Sequence, residues 1–321
     1  MRPTGKLHLG HLLGALHNWV ALQERYDCFY FVADWHALTS EYAETRELTG
    51  YALDNVADWI AAGLDPERST FFVQSLVPEH AELHLLLSMV TPVPWLERVP
   101  TYKEQQEQLS EKDLSTYGFL GYPLLQTADI IIYNAQFVPV GEDQVPHLEL
   151  SREVVRRFHN IYGEVFAEPQ ALLTHFPRLP GLDNRKMSKS YGNAINLTDD
   201  AETVRKKVMQ MYTDPKRVRA DVPGTVEGNP VFVYHDAFNP DVAEVEDLKA
   251  RYRLGKVGDV EVKQKLVKAM NAALEPLRER RAAVTARPGY VRDVLFEGSA
   301  KARLVATETM ARVRDAVHLK Y

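Results

Sequence analysis

Two short stretches of this chain carry residue types that handle a nucleotide. The first is His8-Leu9-Gly10-His11, which follows a Pro3-Thr4-Gly5 turn and opens a helical pattern. Histidines three apart at a helix start share one face. The glycine between them lets a flat base lie against the backbone. Imidazole donors placed there can stabilise charge that builds on phosphate oxygens during a displacement. The second is Lys186-Met187-Ser188-Lys189-Ser190, after the turn-forming Pro180-Gly181-Leu182-Asp183. Its lysines are mobile point charges suited to phosphates that change position in a reaction. Taken singly, the first is an ordinary helix start and the second a solvated basic loop. Together, in this order, their residue types are compatible with holding a triphosphate while its pyrophosphate leaves.

The elements that must position these residues alternate in type. Cys28–Ala33 and Thr70–Gln74 are short aromatic-rich runs that predict buried strands, and Phe137–Val140 predicts a third. Leu12–Leu22 and Glu47–Ala62 carry helical spacing, the latter stopping at Gly63 with Pro66 beyond it. Strand, helix, strand in succession predicts a parallel sheet with crossover helices, whose ligands bind beyond the carboxyl ends of the strands. A helical stretch and a polar segment, residues 83–117, interrupt the alternation. After Asn196 helical patterns dominate: Ala201–Tyr212, Val242–Tyr252, Val260–Ala286 and Gly289–Leu319, with one short expected strand at Val231–Tyr234. The expected organisation is a Rossmann-like α/β domain over residues 1–197 and an all-helical domain over 198–321, the last helix packing back on the first domain.

Composition sets outer bounds. The 321 residues are 45% hydrophobic and 26% charged, as in soluble globular proteins. No apolar run is long enough to cross a membrane and no signal-peptide pattern opens the chain, so a cytoplasmic location is expected. The single Cys28 excludes an internal disulfide and any Cys-only metal or iron-sulfur site. The net charge of −6 is unevenly spread, since residues 251–321 carry 16 Lys+Arg against 8 Asp+Glu. A basic end on an acidic body suits a polyanionic partner, although Lys/Arg-rich helix surfaces alone would produce the same count.

The middle of the chain makes the pattern specific. Tyr122-Pro123, Asp129, the run Val138-Pro139-Val140-Gly141-Glu142-Asp143-Gln144 and then His147-Leu148-Glu149-Leu150-Ser151-Arg152 resemble the tryptophanyl-tRNA synthetase family of class I aminoacyl-tRNA synthetases. Val32-Ala33-Asp34-Trp35-His36-Ala37-Leu38-Thr39 and Phe72-Val73-Gln74-Ser75 fit the same family, whose HIGH-type and KMSKS signatures correspond to the two stretches above. The resemblance runs from Arg2 into the C-terminal helices.

It implies roles residue by residue. Asp129 matches the carboxylate that accepts the indole N–H. Leaving that donor unpaired in an apolar pocket would cost about 1–3 kcal/mol. His36, Tyr122, Gln126, Val138 and Val140 match positions around the amino acid. Arg2, Thr4, Gly10, Gly141, Asp143, Gln144, Lys186, Met187, Ser188 and Lys189 match ATP-facing positions. His8, His11, Lys103, Lys186 and Lys189 match the groups that assist activation. The implied reaction is attack of the tryptophan carboxylate on ATP, with Mg²⁺ on the triphosphate, followed by transfer to tRNA(Trp). A homodimer joined through residues 83–117 is implied as well.

The chain departs from the family at three points. The relatives' first strand, ending in Ser-Gly, does not precede Pro3, which suggests a truncated or misassigned start. His8 and His11 stand where many bacterial relatives have Thr and Asn. Four cysteines that hold an iron-sulfur cluster in part of the family are not here. Two alternatives stay open at this point: a tyrosyl-tRNA synthetase, and a non-aminoacylating paralogue that binds tryptophan, tRNA or a partner protein.

Overall fold

The computed structural model describes residues 1–100, 102, 112–173, 179–187, 191–217 and 219–321. The His8 turn opens a helical run in three pieces, α1 Leu9–His11, a π-helical turn Leu12–Leu16 and α2 His17–Leu22. Strand β1, Cys28–Val32, leads into α3, Asp34–Glu41. Helix α4, Leu48–Ala62, ends where Gly63 adopts φ 112°, a left-handed cap that an L side chain resists. Strand β2, Ser69–Val73, then runs parallel to β1 in the register Cys28↔Ser69 to Val32↔Val73. The crossover from β1 to β2 through α3 and α4 is the expected βαβ unit.

Helices α5 (Glu79–Ser88) and α6 (Val93–Glu97) follow, and then α7 (Tyr117–Ile131). Strand β3, Phe137–Val140, precedes α8, Val145–Tyr162. Among the described residues β3 pairs in parallel with β4, Gln170–Leu173, and not with β1 or β2. The sequence carries little signal for β4, because three of its four side chains are exposed and none alternates with a buried partner.

The remaining elements are helical: α9 (Ala201–Met209), α10 (Pro230–Phe238), α11 (Val242–Arg253), α12 (Asp259–Thr285) and α13 (Tyr290–Ala316). The expected strand at Val231–Tyr234 is instead part of α10. Asn229 caps that helix by accepting from the Val231 N–H at 3.2 Å, and Pro230 occupies its first turn. Capping by Asn followed by Pro favours a helix start, and it overrides the strand preference of Val-Phe-Val-Tyr.

One apolar cluster runs from Leu9, Val32, Trp59 and Phe71 through Ile195 and Val204 to Phe232, Leu266 and Met270. A second joins Phe72, Leu83, Ile131 and Phe158 to Ala302 and Met310. Helix α13 therefore shares core with the strands. Its Gly298 is so close to β2 that a methyl group there would lie 1.8 Å from the Phe71 carbonyl oxygen. Next to it, Ser299 Oγ accepts from the Val73 N–H at 3.2 Å. Among the described residues, no helix is long and apolar enough to cross a membrane.

Candidate active site

The His8 turn is built by its own side chains. His8 Nδ1 accepts from the Gly10 N–H and His11 Nδ1 from the His8 N–H, each at 3.1 Å. This reciprocal capping satisfies helix-start donors that would otherwise be orphaned. It also holds the two imidazole centroids 3.8 Å apart.

The second signature returns to this turn. Leu9 N–H donates to Ile195 O at 3.0 Å and Leu197 N–H to Leu7 O at 2.9 Å, an antiparallel bridge of His8 with Asn196. A methyl group on Gly10 would meet His8 Cε1 at 2.9 Å and Met187 Sδ at 3.2 Å. Met187 thus lies over the glycine. Lys186 is exposed and bridges Pro180, while Asn193 Nδ2 donates to Lys186 O at 3.1 Å and to Asp183 Oδ1 at 2.8 Å. Lys103, Ser188 and Lys189 lie outside the described residues. Arg2 is exposed, and its carbonyl accepts from the Thr4 N–H at 3.0 Å in the turn that precedes Gly5.

A second group of polar residues gathers at the carboxyl ends of β1 and β2. Asp129, from α7, is buried and accepts three hydrogen bonds. Its Oδ2 faces His36 Nε2 at 2.7 Å, and its Oδ1 faces Gln74 Nε2 at 2.7 Å and His80 Nδ1 at 2.6 Å. Burial alone would raise its pKa, but the bonds and charges of His36 and His80 outweigh it and hold the carboxyl at about 2. Asp129 is therefore ionised at neutral pH. A carboxylate offers about four acceptor positions, so three bonds leave one for a further donor.

Tyr122 and Gln126 precede Asp129 on α7 at spacings of four and three, which puts all three on one face of the helix. Tyr122 is buried, with its ring 5.7 Å from that of His147 on α8, and Gln126 is half-buried. Desolvation by burial, reinforced by His36, lowers the His147 pKa to about 4, so this ring is uncharged at neutral pH. Val138 and Val140 share one face of β3 by the two-residue repeat of a strand. Gly141 then caps a short turn, Glu142–Gln144, where Gln144 Nε2 donates to Asp143 Oδ2 at 3.2 Å.

Three further residues complete the arrangement. Gln74 and His80 grip Asp129, and Asp34 ties the two strand ends together. Asp34 Oδ1 accepts from the Trp35 N–H at 3.0 Å and the Ser75 N–H at 3.1 Å, while Oδ2 accepts from the Ser75 hydroxyl. Asp34, Gln74 and Ser75 sit within the family-like stretches, yet their types alone do not distinguish a pocket residue from a turn. His80 has no local signal at all, because its partners are 49 and 53 residues away.

Among the described residues no three of His, Cys, Asp or Glu converge as a metal site. What the geometry offers is a glycine turn with paired imidazoles under Met187 and, at the carboxyl ends of β1 and β2, an ionised carboxylate gripped by His36, Gln74 and His80. That combination can take a nucleotide and an apolar ligand that carries a hydrogen-bond donor.

Residues 1–275 match the model of the family described as tRNA synthetases class I (W and Y). A tryptophan–tRNA ligase of Thermotoga maritima is 53% identical over 322 residues, covering 100% of this chain and 98% of that protein. One from Aquifex aeolicus is 44% identical, with 99% and 98% covered. The crystal structure of a Campylobacter jejuni tryptophanyl-tRNA synthetase complexed with ADP and tryptophan superposes with a TM-score of 0.88 at 32% identity, covering 99% of this chain and 98% of the other.

Proposed function

Since this chain belongs to the class I tRNA synthetases for tryptophan and tyrosine, we propose that the carboxylate of Asp129 receives the indole N–H of its amino acid substrate. The chain attaches tryptophan to tRNA(Trp), using ATP. The observation that carries the assignment to Asp129 is its fixed, ionised state with one acceptor position left. An indole N–H fills that position. Tyr122, Gln126, His36, Val138 and Val140 form the rest of the amino acid site.

The tryptophan carboxylate attacks the α-phosphorus of ATP, and pyrophosphate leaves. No covalent enzyme intermediate is required, so catalysis is positioning and charge stabilisation. Gly10 admits the adenine against the backbone beside Met187. His8 and His11 donate towards phosphate oxygens, and Lys186 with Lys189 and Lys103 follows the triphosphate as it departs. Arg2, Thr4, Gly141, Asp143, Gln144 and Ser188 complete the ATP site. Mg²⁺ would be held mostly by the triphosphate and water and would offset phosphate charge during the displacement. The adenylate then acylates the terminal ribose of the tRNA.

Residues 1–197 serve as the catalytic domain and 198–321 as the tRNA-binding domain, whose excess of Lys and Arg faces the RNA backbone. The chain works as a cytoplasmic homodimer. Supporting this, Leu83 and Leu87 of α5 are buried in the core, whereas Leu85, Met89 and Val93 point outward at 54%, 70% and 50% exposure. Outward apolar side chains running from α5 through its cap into α6, on a segment that is already packed, suit a partner surface.

Amino-acid-dependent exchange of labelled pyrophosphate into ATP tests the assignment, with tryptophan and tyrosine side by side. Exchange with tryptophan alone is expected. Exchange that prefers tyrosine would overturn it.

A further inference from the structure

A cavity of about 350 Å³ lies on the far side of the Asp34–Ser75 clamp, between the start of α4 and α13. None of the residues assigned above to tryptophan or ATP lines it. Its walls are largely apolar, with Leu38, Leu53, Leu76 and Phe296 prominent, and its volume is that of a small ligand pocket. Leu38, Leu76 and Phe296 are 37%, 38% and 55% exposed, so the mouth is open and greasy.

Asp34 and Arg292 are the charged residues of the lining. Their states differ. The Asp34 carboxylate is already engaged by Trp35 N–H, Ser75 N–H and Ser75 O–H. Arg292 is exposed and has no ion pair or hydrogen bond among the described residues. The hydrogen-bonding capacity left over at the cavity is therefore that of Arg292, a planar fork of donors that matches a carboxylate, since the acceptor positions of Asp34 are largely taken by neutral donors. A neutral apolar ligand would leave that fork unused, and a cation would meet it as a like charge.

We propose that this cavity is a second small-molecule site, for an apolar monocarboxylic acid whose carboxylate pairs with Arg292 and whose hydrocarbon part covers Leu38, Leu53, Leu76 and Phe296. The volume holds about a dozen water-sized groups, which suits an aryl or branched alkyl acid. Asp34 and Ser75 line the cavity on one side, and their chain neighbours Gln74 and His36 grip Asp129 on the other. An acid bound here and tryptophan bound at Asp129 therefore alter each other's affinity, by the same factor in both directions. This coupling rests on the assignment of Asp129, whereas binding of the acid does not.

The test uses a trifluoromethyl-substituted phenylacetate, followed by fluorine NMR on the full chain saturated with tryptophan. One saturable site per chain is expected, at which the corresponding amide binds at least about tenfold more weakly. Arg292→Gln is expected to lose about tenfold in affinity with an unchanged Tm, since Arg292 is exposed and unpaired. Competition by tryptophan, in which the probe's apparent Kd rises without limit as tryptophan is added, equal binding of acid and amide, or full affinity in Arg292→Gln would each overturn the site. A Kd for the acid that is the same with and without tryptophan would overturn the coupling alone.

Discussion

Nδ1 of His80 stands 2.6 Å from Oδ1 of Asp129, while Nε2 of the same ring stands 2.7 Å from the Tyr133 hydroxyl. Because the ionised Asp129 can only accept, the Nδ1 proton belongs to His80, and Nε2 is left to pair with Tyr133. The ring therefore acts as a rod between Asp129 on α7 and Tyr133 in the turn just beyond it, fixing where the carboxylate points. Burial, then the Asp129 charge, raises the Tyr133 pKa, so the phenol keeps its proton. His80→Phe keeps the ring volume and removes both bonds. It is expected to cost about 1–3 kcal/mol of stability in urea unfolding. In the exchange assay kcat/KM for tryptophan should fall about tenfold, with KM for ATP unchanged.

Asp129 itself should separate the two substrates more sharply. Asp129→Asn exchanges an acceptor-only group for one that presents both donors and an acceptor. The indole N–H then loses a charged partner, a change of about 1.5–3 kcal/mol, or roughly ten- to a hundredfold in kcat/KM for tryptophan. ATP binding, measured with a non-reacting analogue, should be unaltered.

Gly10 tests the meeting of the two signatures. A methyl group there collides with His8 Cε1 at 2.9 Å and crowds Met187 Sδ at 3.2 Å. His8 cannot give way without disturbing the capping bonds it shares with Gly10 and His11. Gly10→Ala is expected to raise KM for ATP about tenfold or more, with a smaller effect on the Kd for tryptophan. Equal effects on both substrates would show that the turn does not belong to the nucleotide side.

Asp58 makes a prediction about pH. It is 1% exposed on α4, its Oδ1 accepts from Arg281 Nε at 2.7 Å, and its Oδ2 has no partner. Burial raises its pKa to about 6, with Arg281 offsetting part of the cost. Between the unfolded value of 3.8 and about 6 the native state holds a proton that the unfolded chain has released. Stability from this group is thus full below pH 3.8 and declines as pH rises through about 6. Urea unfolding across this range should show wild type losing on the order of 2–3 kcal/mol relative to Asp58→Asn.

Gly298 predicts a purely structural loss. With Phe71 O only 1.8 Å from the position of a methyl group, Gly298→Ala must push α13 away from β2. Overpacking of this kind costs about 1–3 kcal/mol. A lowered Tm with KM for both substrates unchanged is the expected outcome.

The sequence was informative where function is written locally. His8 and His11 pair at a helix start as their spacing suggested, whereas Met187 and Asp129 were marked by the family resemblance and not by their types alone. Strands β1, β2 and β3 and the Gly63 stop were legible from apolar runs and turn residues. The α10 segment was not, because Val-Phe-Val-Tyr carries strand preference and only its Asn-Pro start marks a helix. Gln74 and His80 were hidden for a different reason. Their roles depend on a carboxylate about 50 residues further on, and a buried polar side chain leaves no periodic trace. Strand β4 was hidden because a short, largely exposed strand has neither an apolar run nor alternation.

The bridge between His8 and Asn196 also has a consequence in time. Leu9 N–H and Leu197 N–H make their bonds only after the chain has travelled out through both pairs of strands and come back. Contacts this distant in sequence form late, after the intervening loop entropy has been lost. A chain emerging from the ribosome therefore exposes its histidine turn well before residues near 197 arrive to complete the bridge.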